Sequence, residues 1–231
     1  MSNINDFVIE DGVLKKYEGN DSEIHIPEGV ASVGFMALKD NAYIQRVFFP
    51  STLKRIEFWS FFGCNSIKEL CFPNSLEFIG PGAFKECTSL ESVEFPDSVT
   101  RIGADAFSEC ISLKSVKIPR HVTFIDSGTF SDCESLEEIM MPTGIIEIGK
   151  SAFQGCISLA NIELPEALTS IDHLAFMNCV ALKTITIPNN VKDIEMGAFR
   201  ACRRKLLIKG YAGSYAEKYA KENGIPFETI E

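Results

Sequence analysis

Gly144-Ile-Ile-Glu-Ile-Gly149-Lys150-Ser151 fits GxxxxGK[ST], the pattern of a loop whose free backbone amides cradle phosphate. Such a loop must wrap an anion between a strand and a helix. Here Ile145 and Ile148 share apolar columns with Val99 and Ile102, and Gly149 shares a glycine column with Gly80 and Gly103. An internal repeat therefore explains most of the match, and a nucleotide site is rejected. Eight cysteines raise disulfide or zinc chemistry, but no C-x-x-C pair occurs, and seven recur every 23 residues from Cys64 to Cys202. Thiols in register on stacked coils point the same way rather than at each other, so a reduced interior ladder is expected. Cys71 is the exception, an outward strand residue expected to be exposed and reactive. His25, His121 and His173 occupy unrelated repeat positions, so no Ser-His-Asp or Cys-His group assembles, although Asp172 adjoins His173. Acidic residues are scattered. No catalytic residue, metal ligand or cofactor is assigned, and the chain reads as a non-enzyme.

The elements that position these residues follow from the same period. Eight of the ten prolines, Pro27 to Pro188, and seven phenylalanines, Phe61 to Phe199, are spaced by 23 residues. Three columns in register are the mark of a solenoid of the leucine-rich-repeat kind. One unit reads AFKECTSLESVEFPDSVTRIG from Ala83, with a short strand at Val93-Glu94-Phe95 before Pro96. Strand starts at Ile24, Val47, Leu70, Val93, Val116, Ile139, Ile162, Ile185 and Ile208 predict nine parallel rungs. The apolar run at Val99 and Ile102 lines the opposite wall. The fold expected is a right-handed repeat solenoid of 23-residue coils in one domain spanning 1–231. Residues 1–22 form an N-terminal hairpin cap around Asp11-Gly12, 23–209 the repeats, and 210–231 a C-terminal helical cap. In that cap Ser214 and Glu217 make a capping box, Tyr215, Ala216, Tyr219 and Ala220 face inward, and Gly224 with Pro226 ends the helix.

The 231 residues carry a net charge of −10, with 45% hydrophobic and 23% charged side chains. Phosphate binding draws on clustered Lys and Arg, so nucleic acid is disfavoured as a partner. Arg203, Arg204 and Lys205, the nearest basic cluster, read as a solvated turn. No run of 18 apolar residues is present, so no membrane insertion is expected. The opening MSNINDFVIEDGVLK resembles no signal peptide, so the expectation for the chain as written is soluble and cytoplasmic.

The I-P step, the A-F-x-x-C step and the 23-residue length resemble the BspA-like, or Treponema-type, leucine-rich repeats of bacteria. DGVLKKYEG and GYAGSYAEKYAKENGIPF are similar to the caps of that family. The resemblance implies protein recognition, often adhesion at a cell surface. Leu38 and Asn41 depart from it, standing where later units hold Phe and Cys.

What the repeat leaves unexplained is surface. Outward strand positions form a mixed concave sheet with an apolar start at Phe48 and Cys71. Phe58, Trp59 and Phe62 occupy positions that other units mostly fill with Gly, Pro, Ala, Asp, Ser, Lys or Gln, and Phe35 and Met36 hold the matching places one coil earlier. Phe35, Met36, Phe48, Phe58, Trp59, Phe62 and Cys71 are therefore the candidate binding residues. Cover by the N-terminal cap or by a twofold mate is the structural alternative for the aromatic group. The function expected is a protein-interaction module, with a structural or self-associating protein as the alternative and an enzyme between coils third.

Overall fold

A computed structural model describes residues 3–202 and 206–230. Arg203, Arg204 and Lys205 thus lie outside the described residues. Each coil alternates one apolar residue with polar neighbours in a short strand, turns at its proline, and makes a second short strand. A front ladder of parallel strands contains Glu23–His25, Arg46–Phe48, Glu69–Cys71, Ser92–Glu94, Ser115–Lys117, Glu138–Met140, Thr184–Thr186 and Leu207–Gly210. Their pairing is in register at 23-residue offsets, as in Leu70 opposite Val93 and Val116 opposite Ile139. The opposite wall is also a ladder, of eight two-residue strands from Ser32–Val33 to Asp193–Ile194.

One expectation needs correction. The seventh of the nine front strands, at Ile162, does not form among the described residues, and the eight others divide into sheets of two, four and two, the last extended by the cap strand Phe227–Thr229. The inward apolar members of this ladder all stay buried, from 0% exposed for Ile24 to 8% for Val47, Val93 and Ile162. The back wall lies where the apolar run placed it, and it carries backbone pairing of its own.

Between the two ladders runs a turn column. Its amides point forward along the stack, as when Phe61 N–H donates to the Ala83 carbonyl and Phe84 N–H to Ala106. Two positions per coil take left-handed φ, one holding Met36, Trp59, Gly82, Asp105, Gly128, Ser151, Leu174 and Gly197 at +54° to +76°. Glycine fits this region without strain and other residues tolerate it at a cost of about 1 kcal/mol.

Inside this column the phenylalanine rings from Phe61 to Phe199 stack with centroids 5.0 to 5.9 Å apart and planes within 15°. Complete burial of one such ring contributes roughly 2–3 kcal/mol. Beside them each column cysteine donates S–H to a carbonyl 26 residues earlier at 3.1–3.3 Å, from Cys64 to Leu38 through Cys202 to Phe176. The thiols are unpaired with one another. Six are buried, but Cys202, expected to be buried, is half-exposed because it lies in the last coil, beneath the cap.

The caps cover both ends. Phe7–Glu10 and Val13–Tyr17 form an antiparallel hairpin around Asp11 and Gly12, both at positive φ, and Leu14 pairs with Val33 to extend the back ladder. At the other end, Ser214 Oγ accepts from Glu217 N–H and starts the helix Tyr215–Glu222. Ala216, Tyr219 and Ala220 are buried, whereas Tyr215 is half-buried. Tyr219 sets its ring edge against Phe199 at 6.0 Å and closes the stack.

Candidate protein-interaction surface

The repeat turns Phe58, Trp59 and Phe62 outward because they flank the inward Phe61 on the turn column. Phe35 stands one coil earlier at the position of Phe58. The four rings form one cluster, with centroid separations of 6.2 Å for Phe35–Phe58, 6.3 Å for Phe35–Trp59, 5.0 Å for Phe58–Trp59 and 6.0 Å for Trp59–Phe62. Phe35 and Phe58 remain 58% and 40% exposed, so the N-terminal hairpin does not cover them. Trp59 and Phe62 are half-buried. A Cβ built on Gly82 would fall 2.2 Å from Trp59 Cδ1, so the indole occupies the space that the next coil's glycine leaves open. Trp59 therefore packs within the stack as well as facing solvent. Lys39 Nζ lies 5.2 Å from the Phe62 centroid and 3.7 Å from Asp40 Oδ2, a charged rim on an apolar centre.

Met36 is not in ring contact with this group. It borders a 560 Å³ groove between the N-terminal hairpin and the first coil, with Tyr17, Lys39 and Tyr43. Phe48 and Cys71 stand apart again, on the front ladder. They flank a 310 Å³ cleft with Arg46, Glu69 and Phe72, where strands Arg46–Phe48 and Glu69–Cys71 are not hydrogen-bonded to each other. His25 stacks on Phe48 at 4.2 Å and 6°. Sequence reasoning set His25 aside as chemistry, although its position one period before Phe48 carried the signal for this pair. Cys71 is exposed, as expected, but burial and the carboxylates of Glu94 and Glu69 push its thiol up. The concave-sheet pair thus stands apart from the aromatic group, as the repeat positions implied, and Met36 lines a groove of its own.

The remaining chemical motifs dissolve. Gly149 donates its amide to Ile125, and Ile145 and Ile148 are fully buried, so the Gly144–Ser151 stretch offers no phosphate cradle. His173 Nδ1 meets the Met196 carbonyl at 2.6 Å rather than Asp172, and His121 Nε2 accepts from Arg120. Among the described residues no group of His, Cys, Asp and Glu could hold a metal ion. No helix among them is long and apolar enough to cross a membrane.

A sequence profile of the BspA type leucine rich repeat region matches residues 9–137 and 78–206, in six copies. No curated protein matches the chain. Among solved structures, a leucine rich cell surface protein from Faecalibacterium prausnitzii is 30% identical, with TM-score 0.58, over 86% of this chain and 62% of that one. A leucine-rich repeat protein from Eubacterium ventriosum is 23% identical, with TM-score 0.57, over 87% of this chain and 51% of that one. The chain thus spans less than two thirds of either. A leucine rich repeat protein of T. pallidum shares the fold at 23% identity and TM-score 0.56, over 98% and 97% of the two chains. With proline, phenylalanine and cysteine columns, paired ladders and a profile match over most of its length, the chain belongs to the BspA-type leucine-rich repeat family.

Proposed function

We propose that the chain binds a protein partner without chemistry of its own, through the cluster of Phe35, Phe58, Trp59 and Phe62. The observation that carries this reading is four rings in one connected cluster at positions where no later coil places Phe, Tyr or Trp. Most later coils hold Gly, Pro, Ala, Asp, Ser, Lys or Gln there, with Leu174, Met177 and Met196 as the apolar exceptions. The fold needs Phe61 inside. It has no use for Phe35 or Phe58 outside. Burying the exposed parts of these two rings contributes on the order of 4 kcal/mol, the scale on which aromatic anchors dominate interfaces. Adhesion at a cell surface is the finer reading, and the name of the F. prausnitzii relative supports it.

The Phe35→Ser/Phe58→Ser double variant tests the cluster better than Trp59→Ala, because Trp59 also packs over Gly82. Expected is a melting temperature within about 2 °C of wild type and at least tenfold weaker capture of a partner or of a second copy in sedimentation. Unchanged association would remove this surface from the binding function. Antibody access to the chain on intact cells tests the surface location, and failure to label them would refute it.

A further inference from the structure

The back ladder is broken at one junction among the described residues, between Arg101–Ile102 and Phe124–Ile125. On either side the pairing is regular: Arg101 faces Phe78 and Ile102 faces Ile79, while Phe124 faces Glu147 and Ile125 faces Ile148. The bonds from Thr100 N–H to the Glu77 carbonyl and from Gly103 N–H to Ile79, made at the preceding junction, find no counterpart here. The front ladder loosens at the same level, where Ser115 opposite Ser92 is the single registered pair. The turn column stays closed, with Asp105 N–H bonded to Ser127 and Phe107 N–H to Thr129. The two coils therefore part like a book held at its spine.

The opening is a cleft of 570 Å³ lined by Thr100, Arg101, Phe124, Asp126 and Glu147 among others. Its two lips are strand edges with main-chain donors and acceptors turned toward each other, and Phe124 is 50% exposed beside them. Such edges are templates for another strand. Arg101 is held 3.6 Å from Asp126 across the cleft, which leaves Glu147 to set the sign of the lining. Glu147 adjoins further acids: the Asp172 carboxyl is pushed up by burial and by Glu147, Glu195 and Asp193.

We infer that this cleft is a second recognition site, taking an extended peptide segment of a partner protein that adds its backbone to the open edge at Phe124–Ile125 and carries a lysine or arginine toward Glu147, beside the Arg101–Asp126 pair. Backbone pairing supplies affinity in this mode and side chains at alternate positions supply selectivity. The inference rests on the protein-binding reading above but not on the aromatic cluster.

Amide hydrogen exchange on the full chain tests the open edge. Phe124 and Asp126 should exchange at least tenfold faster than Glu147 and Asp172. Equal protection means the ladder closes in solution and overturns the proposal. A displayed library of random eight-residue peptides then serves as the probe. Enriched peptides should share a basic residue and, as synthetic peptides, slow exchange at Phe124 and Asp126. N-methylation at alternate peptide bonds should weaken them at least tenfold, as should Asp126→Lys and Glu147→Lys separately. Phe35→Ser/Phe58→Ser should leave their binding unchanged. Peptides that lose binding in the aromatic variant, and not in the Asp126 and Glu147 variants, would refute the cleft while sparing the protein-binding reading. A library yielding no peptide that protects these amides would also overturn it.

Discussion

The thiol column makes the stack sensitive to alkali. Burial pushes the Cys64 thiol up from its ordinary 9.0 to about 12, and likewise raises Cys87, Cys110, Cys133, Cys156 and Cys179 well above the ordinary 9.0. A group whose folded-state pKa is raised contributes stability that is fully present below the unfolded value and lost as pH rises through the folded one. The loss therefore begins near pH 9, where unfolded thiols release protons that folded ones retain. At pH 10 each unfolded thiol is ionised about 10:1, which stabilises the unfolded chain by about 1.4 kcal/mol per thiol. Six buried thiols make roughly 8 kcal/mol for unfolding of the whole stack, or about 1.4 kcal/mol per coil if coils melt singly. Urea unfolding followed by circular dichroism at pH 7, 8, 9 and 10, with reductant present, measures this. The isolating variant is Cys133→Ala. Losing the contact to the Phe107 carbonyl costs it some stability at every pH. Between pH 7 and 10, however, it should lose about 1.4 kcal/mol less than wild type. Identical losses in the two proteins would show that the thiols are not what titrates.

Gly82→Ala should destabilise by about 2 kcal/mol, from left-handed φ and a displaced indole, and by only about 1 kcal/mol in a Trp59→Ala background. Equal costs in both backgrounds, by denaturant midpoint, would deny that Trp59 needs the space over Gly82. Brief alkylation at pH 8, read by mass spectrometry, should mark Cys71 first and Cys202, half-buried and pushed up to about 11, second. Labelling of Cys71 should keep rising above pH 9, because burial and then the carboxylates of Glu94 and Glu69 push its thiol up; a plateau by pH 8 would contradict this. Ser214→Ala should cost about 1 kcal/mol and speed amide exchange in the last coil and the helix Tyr215–Glu222, while leaving the middle coils unchanged. Uniform acceleration along the chain would mean that the cap does not act locally.

Columns were legible because each inward position is filled by one residue type at one interval. Phe61 to Phe199 and Cys64 to Cys179 lie where the 23-residue period puts them, and Ser214 starts the helix its capping box predicted. Distances between coils were not legible. Ile162 carries the same apolar letter as Ile139 and Ile185, yet its strand does not form, and Phe124 looks like Phe78 although one is paired to the preceding coil and the other is not. A register shared by all coils cannot report how far two of them stand apart. The separation of the concave-sheet candidates from the aromatic group was, by contrast, legible. Phe48 and Trp59 are eleven positions apart within a single period, which in a flat repeat places them on different walls.

Contacts that join one coil to the next reach across about one period: Phe61 N–H to Ala83, Gly80 N–H back to Ile56, Cys64 Sγ back to Leu38. Removing the block from Val122 to Gly144 would bring Ile145 to the place of Val122 and leave each donor facing an equivalent acceptor. Removing one residue would instead slide every later donor out of step, and with it the ring stack and both walls. Such an architecture resists small insertions and deletions in its core yet accepts whole coils. Length can therefore change by in-frame duplication or loss of repeat units, and the reach of the binding faces along the axis changes with it while the caps stay the same.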